Sequence, residues 1–153
     1  MTETPRRATR VLLVDGLGRV LLFHGADPAE PDRPYWFTPG GGLDEGEEPR
    51  VAAARELMEE TGLAIDPAAL GEPVHREVAR FSFDGVRYRQ EQEFFLLRVD
   101  SFEVSTAGFD EIERDIIDKH HWWTVAELAG TDEVYYPLDL IDVLRRVSRH
   151  EVL

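Results

Sequence analysis

Short apolar runs separated by turn-forming residues dominate the first forty positions. Residues 9–14 (TRVLLV) and 19–23 (RVLLF) are β-branched and apolar, and Asp15-Gly16-Leu17-Gly18 stand between them, which predicts a β-hairpin. Residues 25–34 hold three prolines and no hydrophobic period, so they read as an exposed loop. Tyr35-Trp36-Phe37 begin a short strand that Pro39 and Gly40-Gly41-Gly42 stop. Residues 48–61 carry a helical period. Residues 74–83 and 86–99 read as two strands joined at Asp84-Gly85, a second hairpin. The run 93–97 (EFFLL) loses strict alternation, as an interior strand covered on both faces would. Residues 106–119 are acidic and irregular, with room for one helical turn. Residues 121–123 form a short strand, and Thr124-Val125-Ala126-Glu127 is a capping box that starts a short helix. Pro137 opens a last helix, with Leu138, Ile141, Leu144 and Val147 on one stripe. No repeat or linker interrupts the chain. The pattern predicts one layered α/β domain over residues 1–153, built on a mixed sheet.

The helix at 48–61 carries the candidate chemistry. Successive helical residues turn by about 100°, so Glu56, Glu59 and Glu60 share one face. Val51, Ala54, Leu57, Met58 and Thr61 fall on the opposite side and are expected to pack on the sheet, with Ala52 beside the acidic arc. Three carboxylates on one face repel each other. Glu59 and Glu60 also stand near the helix C-terminus, where the macrodipole disfavours negative charge. Glu47 and Glu48 lie near the N-terminus, where a solvated acidic face explains them well. Only Arg55 is near enough to neutralise the triple cluster. The helix by itself leaves a charged surface and a metal site about equally supported. Oxygen-only ligands favour a hard cation such as Mg²⁺ or Mn²⁺, and Gly40-Gly41-Gly42 allow the backbone to approach a ligand closely.

Composition narrows the partners. The 153 residues carry a formal net charge of −14, which argues against a nucleic-acid-binding face. A small anionic substrate on a cation-loaded site remains compatible with that charge. The chain has no cysteine, which removes disulfides, thiol nucleophiles and zinc–thiolate sites and suits a cytoplasmic location. No apolar stretch approaches the roughly 20 residues needed to cross a bilayer, and residues 1–10 have no signal-peptide pattern. Oligomeric state has no signature here.

Residues 41–63 resemble the Nudix box: Gly, five residues, Glu, seven residues, Arg-Glu, an aliphatic, any residue, Glu-Glu, any residue, Gly, an aliphatic. Gly41, Glu47, Arg55, Glu56, Leu57, Glu59, Glu60, Gly62 and Leu63 fill all nine positions. The resemblance implies an α/β/α sandwich and a Mg²⁺- or Mn²⁺-dependent pyrophosphohydrolase that cleaves a diphosphate linkage in a nucleoside diphosphate-X substrate. Such substrates include nucleoside triphosphates, dinucleoside polyphosphates and nucleotide sugars. It implies that Glu56, Glu59 and Glu60 hold the cation with the Gly40 carbonyl, and that Glu59, Glu60 and Arg55 serve catalysis. Glu47 would pair with Arg55, and Gly41 and Gly62 would be structural. Some members use a further Glu outside the box, for which Glu113 is favoured over Glu111 and Glu93.

Two other readings follow from the same resemblance. A non-catalytic Nudix-like regulator would bind a nucleotide without turnover, but the box here is intact. Isopentenyl diphosphate isomerase chemistry relies on a cysteine that this chain lacks. Tyr35, Trp36, Phe37, Tyr88 and Phe109 are candidates for stacking on a base. Arg33, Arg76, Arg87 and Arg89 are candidates for phosphate. Tyr35, Trp36, Arg33 and Arg87 are the preferred substrate-binding set. Trp122 and Trp123 are expected to be one core and one surface residue. His24, His75, His120, His121 and His150 lack metal-ligand spacing and are assigned structural roles.

Overall fold

The computed structural model describes residues 2–100 and 102–151, with the side chains of Arg149, His150 and Glu151 outside the described residues. A mixed sheet with helices on both faces forms the body. Among the described residues the sheet has eight strands in the order β5-β6-β1-β2-β3-β8, with β4 paired to β1 and β7 paired to β2. The elements run β1 (Thr4–Val14), β2 (Val20–Gly25), β3 (Tyr35–Phe37), β4 (Gly40–Gly42), α1 (Pro49–Thr61), β5 (His75–Phe83), β6 (Val86–Arg98), α2 (Glu111–Ile116), β7 (Ile117–Trp123), α3 (Val125–Gly130), β8 (Tyr135–Tyr136) and α4 (Leu140–Glu151).

Strand β1 starts five residues earlier than its apolar run. It lies parallel to β6 in continuous register from Thr4↔Tyr88 to Val14↔Arg98, so long-range pairing holds the polar segment TPRRA in the sheet. Asp15 builds the turn after β1. Its carboxylate accepts from the N–H groups of Leu17 and Arg19 and from the Arg19 side chain. Pro39 and the three glycines do not end the sheet: Gly40–Gly42 pair antiparallel to Ala8–Arg10 as β4.

The apolar residues of β1, β2 and β6 divide between the two faces. Leu12, Val14, Val20, Leu22 and Phe94 meet Trp36, Trp123, Leu128, Leu140, Val143 and Leu144, beneath α3 and α4. Val11, Leu13, Leu21, Phe23 and Phe95 meet Ala53, Leu57, Leu70 and Phe109, beneath α1. Burial on both faces is why these strands read as unbroken apolar runs.

Several expectations are corrected. Val51 and Met58 are exposed, 45% and 50%, because they lie about 100–120° around α1 from Leu57, beyond the strip that touches the sheet. The buried strip is Ala52, Ala53, Ala54, Leu57, Glu60 and Thr61, so the acidic face and the packing face adjoin at Glu60. The last helix starts at Leu140 rather than Pro137, and Leu138 is 76% exposed. Its buried stripe is Leu140, Val143, Leu144 and Val147. Phe109 is buried against Phe23 rather than held at the loop surface. Trp122 packs on Phe102 below α1 while Trp123 is buried on the other face, so neither is a free surface residue.

Candidate active site

Helix α1 presents the acids, and both of its ends are locally encoded. The Glu48 side chain caps the N-terminus by accepting from the Val51 N–H, with Pro49 following it. Gly62, at φ 80, ends the helix in the left-handed region and donates its N–H to the Met58 carbonyl. Strand β4 runs beside this helix. Gly40 has φ 134, and a Cβ there would overlap the Thr9 carbonyl. A Cβ on Gly41 would lie 2.9 Å from Glu56 Oε1. The bare backbone of these two positions is what lets the acidic helix close on the sheet edge.

Glu56, Glu60 and Glu113 place carboxylate oxygens within 4.8 Å of one another. Glu60 is only 2% exposed and accepts from the Gly40 N–H at 2.8 Å. Burial drives its pKa well above the usual carboxylate range, and the neighbouring Glu56 and Glu113 add to the rise against the Gly40 N–H and Arg10. Burial also raises Glu56, with Glu59 and Glu113 adding to it and Arg55 opposing it. Glu113 is raised by burial too, and Asp110 and Glu59 add to the rise, while the Asp110 N–H opposes it. Its carboxylate is tied down by a capping box with Asp110 at the start of α2. Three crowded, all-oxygen acids at a desolvated position suit a hard divalent cation, which would relieve both the repulsion and the desolvation.

Arg55 organises the adjoining side of the site. Its Nε and Nη2 donate to the two Glu47 oxygens at 2.9 and 3.0 Å, and its Nη1 reaches Glu56 at 3.1 Å and Glu59 at 3.5 Å. The hydrogen bonds to Glu47 are the main reason that the Arg55 pKa is raised, and they hold Glu47 below its ordinary value. The expected pairing of these two residues is therefore present. Glu59 lines the pocket but stays outside the group of three acids, turned towards Arg55.

The acids stand at one wall of a pocket of about 880 Å³. Arg33 and Tyr35 line it, as expected. Trp36 does not: it is 4% exposed and packs on His24 and Trp123, because alternation along β3 turns it away from Tyr35 and Phe37. Arg87 is exposed at the hairpin end of β6 and lies outside the pocket lining. Arg76 pairs with Glu93 and Arg89 with Glu91 instead of facing the pocket. Glu93 is taken up by Arg7 and Arg76, and Glu111 stays outside the acidic group.

Among the pocket residues that were not anticipated are Arg6, Arg10, Gln90 and Gln92. Arg10 donates to the carbonyls of Thr38 and Gly40, and burial lowers its pKa against the pull of Glu60. Their signal was the two-residue period of a strand. Arg6 and Arg10 share one face of β1, and Gln90 and Gln92 share the same face of β6. A second group, His75, Glu77 and Asp139, also brings its ligand-type atoms within 4.8 Å. The distance in sequence between Asp139 and the other two hid it.

A mixed sheet between helices, with an acidic helix closed on a glycine strand, defines a Nudix-type sandwich. The NUDIX domain family model matches residues 4–142, and the chain belongs to the Nudix family. Nudix hydrolases generally use divalent metal ions, which the acidic group is suited to hold. An RNA pyrophosphohydrolase of Cereibacter sphaeroides is 38% identical over 109 residues, covering 64% of each chain. One from Dinoroseobacter shibae is 44% identical over 61 residues, covering 40% of this chain and 36% of the relative. The chain thus spans less than two thirds of the length of these relatives. Among solved structures, the MutT protein of Methanosarcina mazei superposes with TM-score 0.69 at 18% identity, over 99% of this chain and 98% of that one. A MutT Nudix hydrolase of Burkholderia pseudomallei gives 0.68 at 22% identity, over 95% and 99%. At these identities the likeness concerns the fold. Among the described residues no helix is long and apolar enough to cross a membrane.

Proposed function

We propose that this chain is a pyrophosphohydrolase that cleaves a diphosphate linkage in a nucleoside diphosphate-X substrate with Mg²⁺ or Mn²⁺. The observation that carries this is the convergence of Glu56, Glu60 and Glu113 on one wall of an arginine- and aromatic-lined pocket. Glu56 and Glu60 would hold the cation, and Glu59 and the Gly40 carbonyl, which also line the pocket, would be further ligands. When bound, the cation lowers the pKa of water and neutralises charge on phosphate oxygens. The protein's own groups do the rest. Arg10 and Arg33 attract the diphosphate. Glu113, with its raised pKa, takes the proton as the water oxygen bonds to phosphorus and the bridging P–O bond breaks. The freed phosphate leaves as the anion. Arg55 positions Glu56 and Glu59 and does not touch substrate.

A second substrate is favoured by the names of the relatives: the 5′-triphosphate end of RNA, which contains the same diphosphate linkage. This reading differs from the expectation of no nucleic-acid partner drawn from the acidic charge. Arg6, Arg10, Arg33 and Arg80, four of the five arginines that line the pocket, give a local anion site on an acidic protein.

The test is a substrate panel with Mg²⁺ and with chelator: nucleoside triphosphates, dinucleoside polyphosphates, nucleotide sugars and 5′-triphosphorylated RNA. Metal-dependent release of phosphate or nucleotide from at least one is expected, with loss in Glu56→Gln and Glu60→Gln. Full activity in both variants would overturn the metal assignment. Tight nucleotide binding by calorimetry without any turnover would instead support the non-catalytic regulator.

A further inference from the structure

Gln90 stands on the pocket wall with one half of its amide unaccounted for. The residue is 1% exposed and lines the pocket. Its Nε2 donates to Gln92 Oε1 at 2.7 Å, while its own Oε1 is buried with no hydrogen-bond partner. An orphaned buried acceptor costs about 1–3 kcal/mol. It marks a place where a donor is expected to arrive.

The direction of this amide is imposed from a distance. Arg146, a donor only, gives a hydrogen bond to the Val74 carbonyl and turns Nη2 to His75 Nδ1 at 3.4 Å, so Nδ1 is the accepting nitrogen. His75 Nε2 then donates to Glu77 Oε1 at 3.0 Å. Glu77 is an acceptor on both oxygens, and its Oε2 receives Gln92 Nε2 at 3.2 Å. Gln92 therefore offers Oε1 to Gln90, and Gln90 must present Nε2 to Gln92. Flipping either glutamine would set oxygen against oxygen. A chain of five residues, from α4 across β5 to β6, leaves an unpartnered, buried acceptor on a residue that lines the pocket.

We propose that Gln90 is a specificity-determining residue: its Oε1 accepts a hydrogen bond from an exocyclic amino group of the substrate's base, with the acceptor direction set by Glu77 through Gln92. The surroundings fit a base. Phe81 and Phe37 line the same pocket and offer aromatic faces, and Ala79, the register partner of Gln90 on β5, is small. A carbonyl at the same edge of the base would meet oxygen with oxygen and be rejected. The proposal rests on the pocket being a nucleotide site, and it concerns base selection, not the hydrolytic step.

The experiment compares two pairs that differ only by an amino group: ATP against purine riboside 5′-triphosphate, and GTP against ITP. For each nucleotide kcat/KM is measured with Mg²⁺, and Kd by calorimetry in chelator, which needs no turnover. Wild type is expected to favour the amino member of at least one pair tenfold or more, in Kd as in kcat/KM. In Gln90→Met that preference falls to near one. Glu77→Gln gives a result that packing alone does not: it supplies an N–H to Gln92, both glutamines turn over, and a donor replaces the acceptor. The preference then falls below threefold or reverses. Equal use of both members by wild type, or a preference unchanged in both variants, overturns the proposal. If nothing is hydrolysed but the Kd preference is present, the base contact stands and the hydrolase assignment fails. If hydrolysis occurs without discrimination, only the base contact fails.

Discussion

The clamp between Glu47 and Arg55 joins the loop before α1 to the acidic face of the helix, and a double-mutant cycle measures it. Two charge-assisted hydrogen bonds at 2.9 and 3.0 Å connect the pair. Such bonds contribute about 1.5–3 kcal/mol each when well shielded. The Arg55 side chain is 30% exposed and Glu47 12%, so solvent screening reduces the coupling to roughly 2 kcal/mol in total. Arg55→Met also leaves Glu56 and Glu59 without their shared cation, which adds about 1 kcal/mol of unrelieved repulsion. The single variant should thus lose about 3 kcal/mol, or roughly 6–12 °C in Tm for a domain of this size. Glu47→Gln should lose about 2 kcal/mol. The double variant should be little worse than Arg55→Met, because the bonds can be removed only once. Thermal and urea unfolding in chelator read the four proteins without interference from bound cation. Additive losses, with coupling below about 0.5 kcal/mol, would refute the clamp. In the presence of Mg²⁺, Arg55→Met should lower kcat more than it raises KM, as expected of a positioning residue.

Three further outcomes follow from the site and the core. Glu60→Gln should reduce turnover by roughly a hundredfold or more. Because the folded pKa of Glu60 is raised, the native state holds its proton more tightly than the unfolded chain does. Metal-free stability should therefore fall as the pH rises from the ordinary carboxylate value, 4.5, through the raised one, and Glu60→Gln should flatten that fall in urea titrations. Gly41→Ala places a Cβ 2.9 Å from Glu56 Oε1, so the Mg²⁺ or Mn²⁺ Kd should weaken about tenfold by calorimetry while the Tm changes little. Trp36→Ala should cost about 3–5 kcal/mol of stability as a core cavity, whereas Tyr35→Ala should leave the Tm almost unchanged and raise KM. A reversal of those two effects would contradict their placement on opposite sides of β3.

The helix, its end at Gly62, both glycine-marked hairpins and the acidic pattern of residues 41–63 are local features, and the order of residues was enough to expose them. Caps, turns and helical period are set by neighbours within about four positions. The Glu47–Arg55 pair, eight residues apart, was legible only through the resemblance of residues 41–63 to the Nudix box. What the chain order did not reveal depends on pairing across the fold. The parallel register of β1 with β6 draws polar residues 4–8 into the sheet and sets Arg6 beside Gln90. The pairing of β3 with β2 turns Trp36 into the core and leaves Tyr35 at the pocket, and Phe109 packs against Phe23 in the core. Glu113 stands more than fifty residues from Glu60, and only the docking of α2 made it, and not Glu111 or Glu93, a neighbour of the acidic helix. The run from Arg146 to Gln90 is of the same kind. Each link is an ordinary hydrogen bond, but its direction exists only once α4, β5 and β6 are side by side. Local chemistry in the sequence therefore determined that there is a capped helix with an acidic face here. Tertiary packing alone decided which acid completes it and which way the pocket amide faces, because both are contacts between segments that the unfolded chain keeps apart.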